Sequence, residues 1–162
     1  MWSRVHDAET GFVIAAPLPD VIQRPARRAD HAFAYSLYAA SAKPLLSAMG
    51  LWNEAEISQR FSRSYVARHA RILCIGADTI GWIQVSRMAQ GFHLHQLHLV
   101  ENQRNRGIGT RLIVALQETA RSENCPVTLN MIKGNPALSL YTRLGFIRTG
   151  EDESRLHMAW RP

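Results

Sequence analysis

The feature that most constrains this chain is a succession. Three strand-like runs at 71–76, 80–85 and 92–100, with turns at 77–79 and 88–91, lead directly into a glycine turn and a helix. Runs joined this closely pair as an antiparallel meander. The glycine turn is Gly107-Ile108-Gly109, and the helix after it, about 110–123, repeats Leu112, Ile113, Leu116 and Ala120 at helical spacing.

The flanking segments fit around this centre. Before it come a short strand at 21–23, a helix that Asp30 caps or opens and that runs to about residue 41, and a helix at about 53–70. Asn53 followed by Glu56 has the spacing of a capping box. After the centre, a strand at 127–132, a helix at about 136–144 and strand pieces at 146–149 and 155–160 complete an α+β chain with a mixed sheet.

A length of 162 residues suits one domain, taken as 20–162, and residues 1–19 read as an N-terminal extension around the short apolar piece 12–16. With 46% hydrophobic and 20% charged residues, the composition excludes disordered and fibrous classes. The sequence has no apolar run of membrane-spanning length and no apolar signal core, so the expected location is the cytoplasm, with no membrane partner. Cys74 and Cys125 lack metal-type spacing and read as buried thiols, and no metal is expected. The net charge of +6 comes almost wholly from arginine, and such a surface attracts polyanions. Nucleic acid and a phosphorylated cofactor both fit that description, although the basic residues are dispersed rather than gathered in one tract.

Chemistry concentrates at Arg104-Asn105-Arg106-Gly107-Ile108-Gly109-Thr110. A glycine turn that opens a helix aims unpaired N–H groups and the positive end of the helix dipole at one place, which suits a pyrophosphate. No Gly-Lys-Ser/Thr follows, so this is not a Walker loop, and no third glycine stands at 112 for a dinucleotide fingerprint. A second segment lies beyond the next strand: Asn135-Pro136-Ala137, Leu140-Tyr141 and Leu144-Gly145-Phe146.

Together the two segments resemble the GNAT superfamily of N-acetyltransferases, over roughly residues 20–160. The resemblance implies a mostly antiparallel twisted sheet of about six to seven strands flanked by about four helices. It implies acetyl-coenzyme A as cofactor and transfer of its acetyl group to a small-molecule or peptide amine. Backbone groups of Leu97, His98 and Leu99 would then hold the pantetheine arm, amides of Asn105, Arg106, Gly107, Ile108, Gly109 and Thr110 the pyrophosphate, with charge from Arg104 and Arg106, and Asn135 the cofactor arm. Tyr141 matches the family's tyrosine near the cofactor sulfur, where a phenol can protonate the departing thiolate. Dimerisation through a sheet edge or the C-terminal strands is common in the family.

His93 and His95 alternate on the strand before the loop and share a face if that strand is regular; His98 then falls on the other face unless a bulge intervenes. The run is similar to the paired-histidine strand of the arylalkylamine N-acetyltransferases, where the pair draws a proton off the amine through water. Two solvated polar residues on a half-exposed strand are the alternative. Where protein N-terminal acetyltransferases carry a glutamate base, this chain has Asn130. The first helices offer Tyr38, Trp52 and Glu54 for an acceptor pocket, and Glu101, just past the strand, reads as a solvated loop carboxylate, with a base acting through water as the alternative. The competing function is a non-catalytic module that binds coenzyme A, or an acidic partner or nucleic acid, through its basic surface.

Overall fold

Side chains of successive strand residues leave a sheet on opposite faces, and here each face is covered by its own pair of helices. The computed structural model describes residues 20–162; the expected extension 1–19 and its apolar piece lie outside them. The elements run β1 (Ile22–Pro25), α1 (His31–Ala48), α2 (Glu54–Ser64), β2 (Ala70–Ile75), β3 (Asp78–Met88), β4 (Gly91–Leu99), α3 (Ile108–Ser122), β5 (Val127–Ile132), α4 (Leu138–Arg143), β6 (Ile147–Glu151) and β7 (Arg155–Trp160). The seven strands form one sheet in the order β1-β2-β3-β4-β5-β7-β6, parallel only between β4 and β5. This is the mixed, mostly antiparallel α+β architecture expected from the sequence. No described helix is long and apolar enough to cross a membrane.

On one face Ile83, Val85, Phe92, Leu94 and Val127 pack with Leu112, Ile113 and Leu116 of α3. On the other, Ile72 and Trp82 meet Ala34, Tyr38, Ala42 and Leu46 of α1, spaced four apart along one helix stripe, together with Ile57 and Phe61 of α2. Cys74 and Cys125 are both free thiols.

Two helix ends differ from expectation, and a third stands where expected but uncapped. Asp30 opens α1 without capping it, because its carboxylate is spent on the Arg24 guanidinium, at 2.7 and 2.8 Å, and on the Arg27 N–H. That ion pair ties α1 to strand β1 and holds the Asp30 carboxyl below its usual range. Helix α1 also continues through Pro44 to Ala48, although proline removes one helical hydrogen bond. Burial of Leu46 and packing of Leu45 on the far side of the proline offset that loss. Helix α2 starts as expected, with the Asn53 side chain accepting from the Glu56 N–H at 3.2 Å, but ends at Ser64 rather than near 70. Its exit is held by buried Gln84, whose amide donates to the Ser64 carbonyl and whose oxygen accepts from the Val66 N–H.

Strands β3 and β4 pair in register until the ladder slips: Gln84 opposes Gln96, but Val85 opposes Leu94, which leaves His95 as an extra residue on β4. Cross-strand partners share a face. Gln96 and His98 therefore lie with Gln84 and Trp82 on the side of α1 and α2, and His93 lies there opposite Ser86. The bulge thus places His98 on the same face as the histidine pair.

Candidate active site

Strands β4 and β5 pair over only three residues, Phe92–Leu94 against Val127–Leu129, and then part. Past that point β4 carries His95–Leu99 and β5 carries Asn130–Ile132 with no partner across the gap. A parallel pair that opens in this way exposes backbone N–H and C=O groups inside the sheet, where an extended ligand can take the place of a strand.

The chain leaves β4 through a 3-10 turn, Glu101–Gln103, and enters α3 at Gly107. Asn105 (φ 59°) and Gly107 (φ 78°) are both left-handed, and Gly107 caps α3 with no side-chain acceptor for the first N–H groups. An added Cβ at Gly107 would meet open space, so only the backbone angle demands glycine there. At Gly109 a Cβ would make ordinary van der Waals contact, 3.7 Å from Leu140 of α4 and 3.8 Å from Leu97 of β4, so packing alone does not demand glycine there. Around this one residue the two sequence segments converge. The uncapped amides, the dipole end and left-handed residues alternating along the loop make a concave seat for an anion. Arg106 is exposed at its rim, bonded to Gln103, while Arg104 donates instead to the Leu99 carbonyl at 2.9 Å. Sequence reading missed Arg143, which reaches from α4 to the Thr110 hydroxyl at 3.4 Å. A recess of about 240 Å³ beside this loop, lined in part by Ile75, Ile108, Arg106 and Arg111, does not extend to the histidine face.

Asn135 closes the turn into α4, its side-chain oxygen accepting from the Ala137 N–H at 2.9 Å; its amide hydrogens remain as donors. One turn further, Tyr141 is buried in the α3-side core edge-to-face with Phe146. Burial pushes its phenol up to about 12, so it holds its proton at neutral pH.

On the opposite face His93 and His95 lie edge-to-face, with ring centroids 4.6 Å apart. His93 Nδ1 is 2.8 Å from Thr128 Oγ1, and His95 Nε2 is 2.7 Å from Ser86 Oγ. Burial lowers both pKa values; His95, which also feels His93 and His69, falls to about 4. Both rings line a cavity of about 180 Å³ together with Tyr38, Gln84, Gln96 and Asn130, and Arg60 and Arg155 are also part of its wall. Asn130 Oδ1 is bonded to His157 at 2.6 Å.

His98, expected to contribute only its backbone, is an anchored ring: stacked on Trp82 at 5.6 Å, edge-to-face with Tyr38, and bonded to Gln96 (2.8 Å) and Ser41 (3.2 Å). Burial, with a smaller part from Arg104, brings it down to about 4. Trp52 and Glu54 do not line this cavity. Trp52 lies under the Lys43 ammonium, and Glu54 accepts from the Tyr35 hydroxyl at 2.7 Å. Glu101 sits exposed in the 3-10 turn.

The acetyltransferase (GNAT) family model matches residues 35–146. No curated protein matches the sequence. Among solved structures, the PaiA N-acetyltransferase of Thermoplasma acidophilum in complex with coenzyme A superposes with a TM-score of 0.68 at 17% identity, covering 88% of this chain and 99% of that one. An N-acetyltransferase of Staphylococcus aureus gives 0.63 at 17% identity, over 86% of this chain and all (100%) of that one. Arabidopsis thaliana Naa50, solved with the bisubstrate analogue CoA-Ac-MVNAL, gives 0.59 at 15% identity, over 88% and 99%. At these identities the likeness is one of fold.

Proposed function

Because the chain belongs to the acetyltransferase (GNAT) family, we propose that it moves the acetyl group of acetyl-coenzyme A to a primary amine by direct attack in a ternary complex. Family membership makes it an acyltransferase, which displaces the alternative of a non-catalytic module. The observation that carries the finer reading is the gap between β4 and β5, which leads from the uncapped start of α3 toward the strand that bears His93 and His95. Residues 20–162 are the acetyltransferase domain in this reading, with 1–19 as an extension and the cytoplasm as its location.

The chain's groups fit the cofactor: a pyrophosphate suits the amides of 105–110 beside Arg104 and Arg106, and an extended arm suits the free edge at Leu97, His98 and Leu99 and the Asn135 amide. When bound, acetyl-coenzyme A supplies an acyl group activated as a thioester.

The remaining work falls to proton management and alignment. An amine is mostly protonated at neutral pH and must lose a proton before it attacks. The Thr128 hydroxyl holds His93 at Nδ1 and the Ser86 hydroxyl holds His95 at Nε2, so each ring is oriented through one of its two nitrogens. Two neutral rings, each with one unprotonated nitrogen, can receive the proton through water. Tyr141, held in its protonated form, supplies a proton to the departing sulfur. Neither Cys74 nor Cys125 lines the cavity, which favours direct transfer over a covalent carrier. The peptide portion of the analogue bound to Naa50 supports a peptide or small amine as acceptor.

The test is free-thiol release from acetyl-coenzyme A over a panel of amines. Amine-dependent release is expected, and cofactor binding with no release on any amine would overturn the reading.

A further inference from the structure

The cavity beneath α1 and α2 is lined by cationic and neutral groups and, among the described residues, by no carboxylate. Arg60 comes from α2 and Arg155 from the first position of β7. Neither makes an ion pair among the described residues. Glu56 stands one turn before Arg60 without joining it. Asp152 lies within electrostatic reach of Arg155, yet one of its oxygens takes the Ser154 and Arg155 N–H groups and the other approaches His157 at 3.5 Å. Two positive charges thus flank the space in front of the histidine pair with no anion lining it.

From this pattern we infer that the acceptor is an amine of amino-acid size that also bears a carboxylate, gripped by Arg60 and Arg155 while its amine faces His93 and His95. The inference rests on the acetyl-transfer reading above. A guanidinium is a planar fork of donors that matches a carboxylate, and such charge-assisted bonds are the strong ones. The same two charges repel a polyamine, so they select against multiply charged amines as well as for an acid. They also favour the neutral amine over the ammonium, and the neutral form is the one that attacks. Size agrees: a cavity of about 180 Å³ lies below the roughly 300 Å³ at which pockets for drug-sized ligands begin.

The experiment measures thiol release by the full chain at saturating acetyl-coenzyme A over three groups of amines: glycine, β-alanine and glutamate; glycinamide and β-alaninamide; and spermidine. Glycine and β-alanine are each expected to exceed their amides about tenfold or more in kcat/KM, the scale of one charge-assisted hydrogen bond, with spermidine the poorest. Arg60→Gln and Arg155→Gln should each lower the carboxylate-to-amide ratio about tenfold through KM, and Arg155→Lys should restore part of it. A preference for the amides or spermidine, or a ratio unchanged in both glutamine variants, overturns the inference. If no amine releases thiol, the transfer reading fails by itself, and calorimetry with β-alanine and its amide in the presence of coenzyme A decides the charge selection. Binding of β-alanine alone, abolished in the double Arg60→Gln, Arg155→Gln variant, sustains it; equal binding of both compounds, or none, overturns it.

Discussion

The two ends of the site are encoded differently. At the start of α3 the geometry is local: Gly107 is left-handed within its own loop, and the orphan N–H groups follow from any helix start that lacks a side-chain cap. At the histidine face it is long-range. Whether His93, His95 and His98 share a side depends on where β4 slips against β3, and that slip is a property of two strands together. A loop can therefore be read from its own residues, whereas a strand face can be read only once its partner is known.

The sharpest way to break this contrast is to remove the histidines and leave the loop. In a His93→Ala, His95→Ala variant, kcat/KM for the amine should fall at least about 100-fold, with acetyl-coenzyme A affinity by calorimetry unchanged. An equal loss of affinity would mean that the two ends are not separate functions. Tyr141→Phe should lower kcat about ten- to 100-fold at saturating substrates, measured as thiol release, because the buried phenol would no longer supply its proton. Gly107→Ala should act on the loop alone: a left-handed alanine costs about 1–2 kcal/mol, seen as roughly tenfold weaker acetyl-coenzyme A binding with the amine KM unchanged.

The face also leaves a signature in stability. His95 and His98 titrate at about 4 in the folded chain, against about 6.5 when unfolded. The unfolded chain therefore binds more protons between those values. Stability should be full above pH 6.5, fall as the pH drops toward 4 and level off below, as read from urea midpoints across that range. His98→Gln should flatten the slope; an unchanged slope would show that His98 is not held in its neutral form.

What the sequence made legible follows the same division. Strand 127–132 and the Asn53 cap carry their signals within a few neighbouring residues, and the structure has both. The continuation of α1 past Pro44 was not legible, because it depends on where Leu45 and Leu46 pack. The end of α2 was hidden for a similar reason, since buried Gln84, twenty residues beyond Ser64, holds the exit. Nothing in the sequence singles out Arg60 and Arg155; only the packing of α2 and β7 brings them to one cavity. Trp52 and Glu54, chosen from the same stretch as Tyr38, lie outside that cavity, because Lys43 and Tyr35 engage them instead.

Hydrogen–deuterium exchange with and without acetyl-coenzyme A examines most directly whether the two ends serve one cofactor seat. Protection should arise together at 105–110, at the open edge 95–99 and at 130–132. Protection confined to 105–110, with the edges of β4 and β5 exchanging as before, would contradict a shared seat in the gap between them.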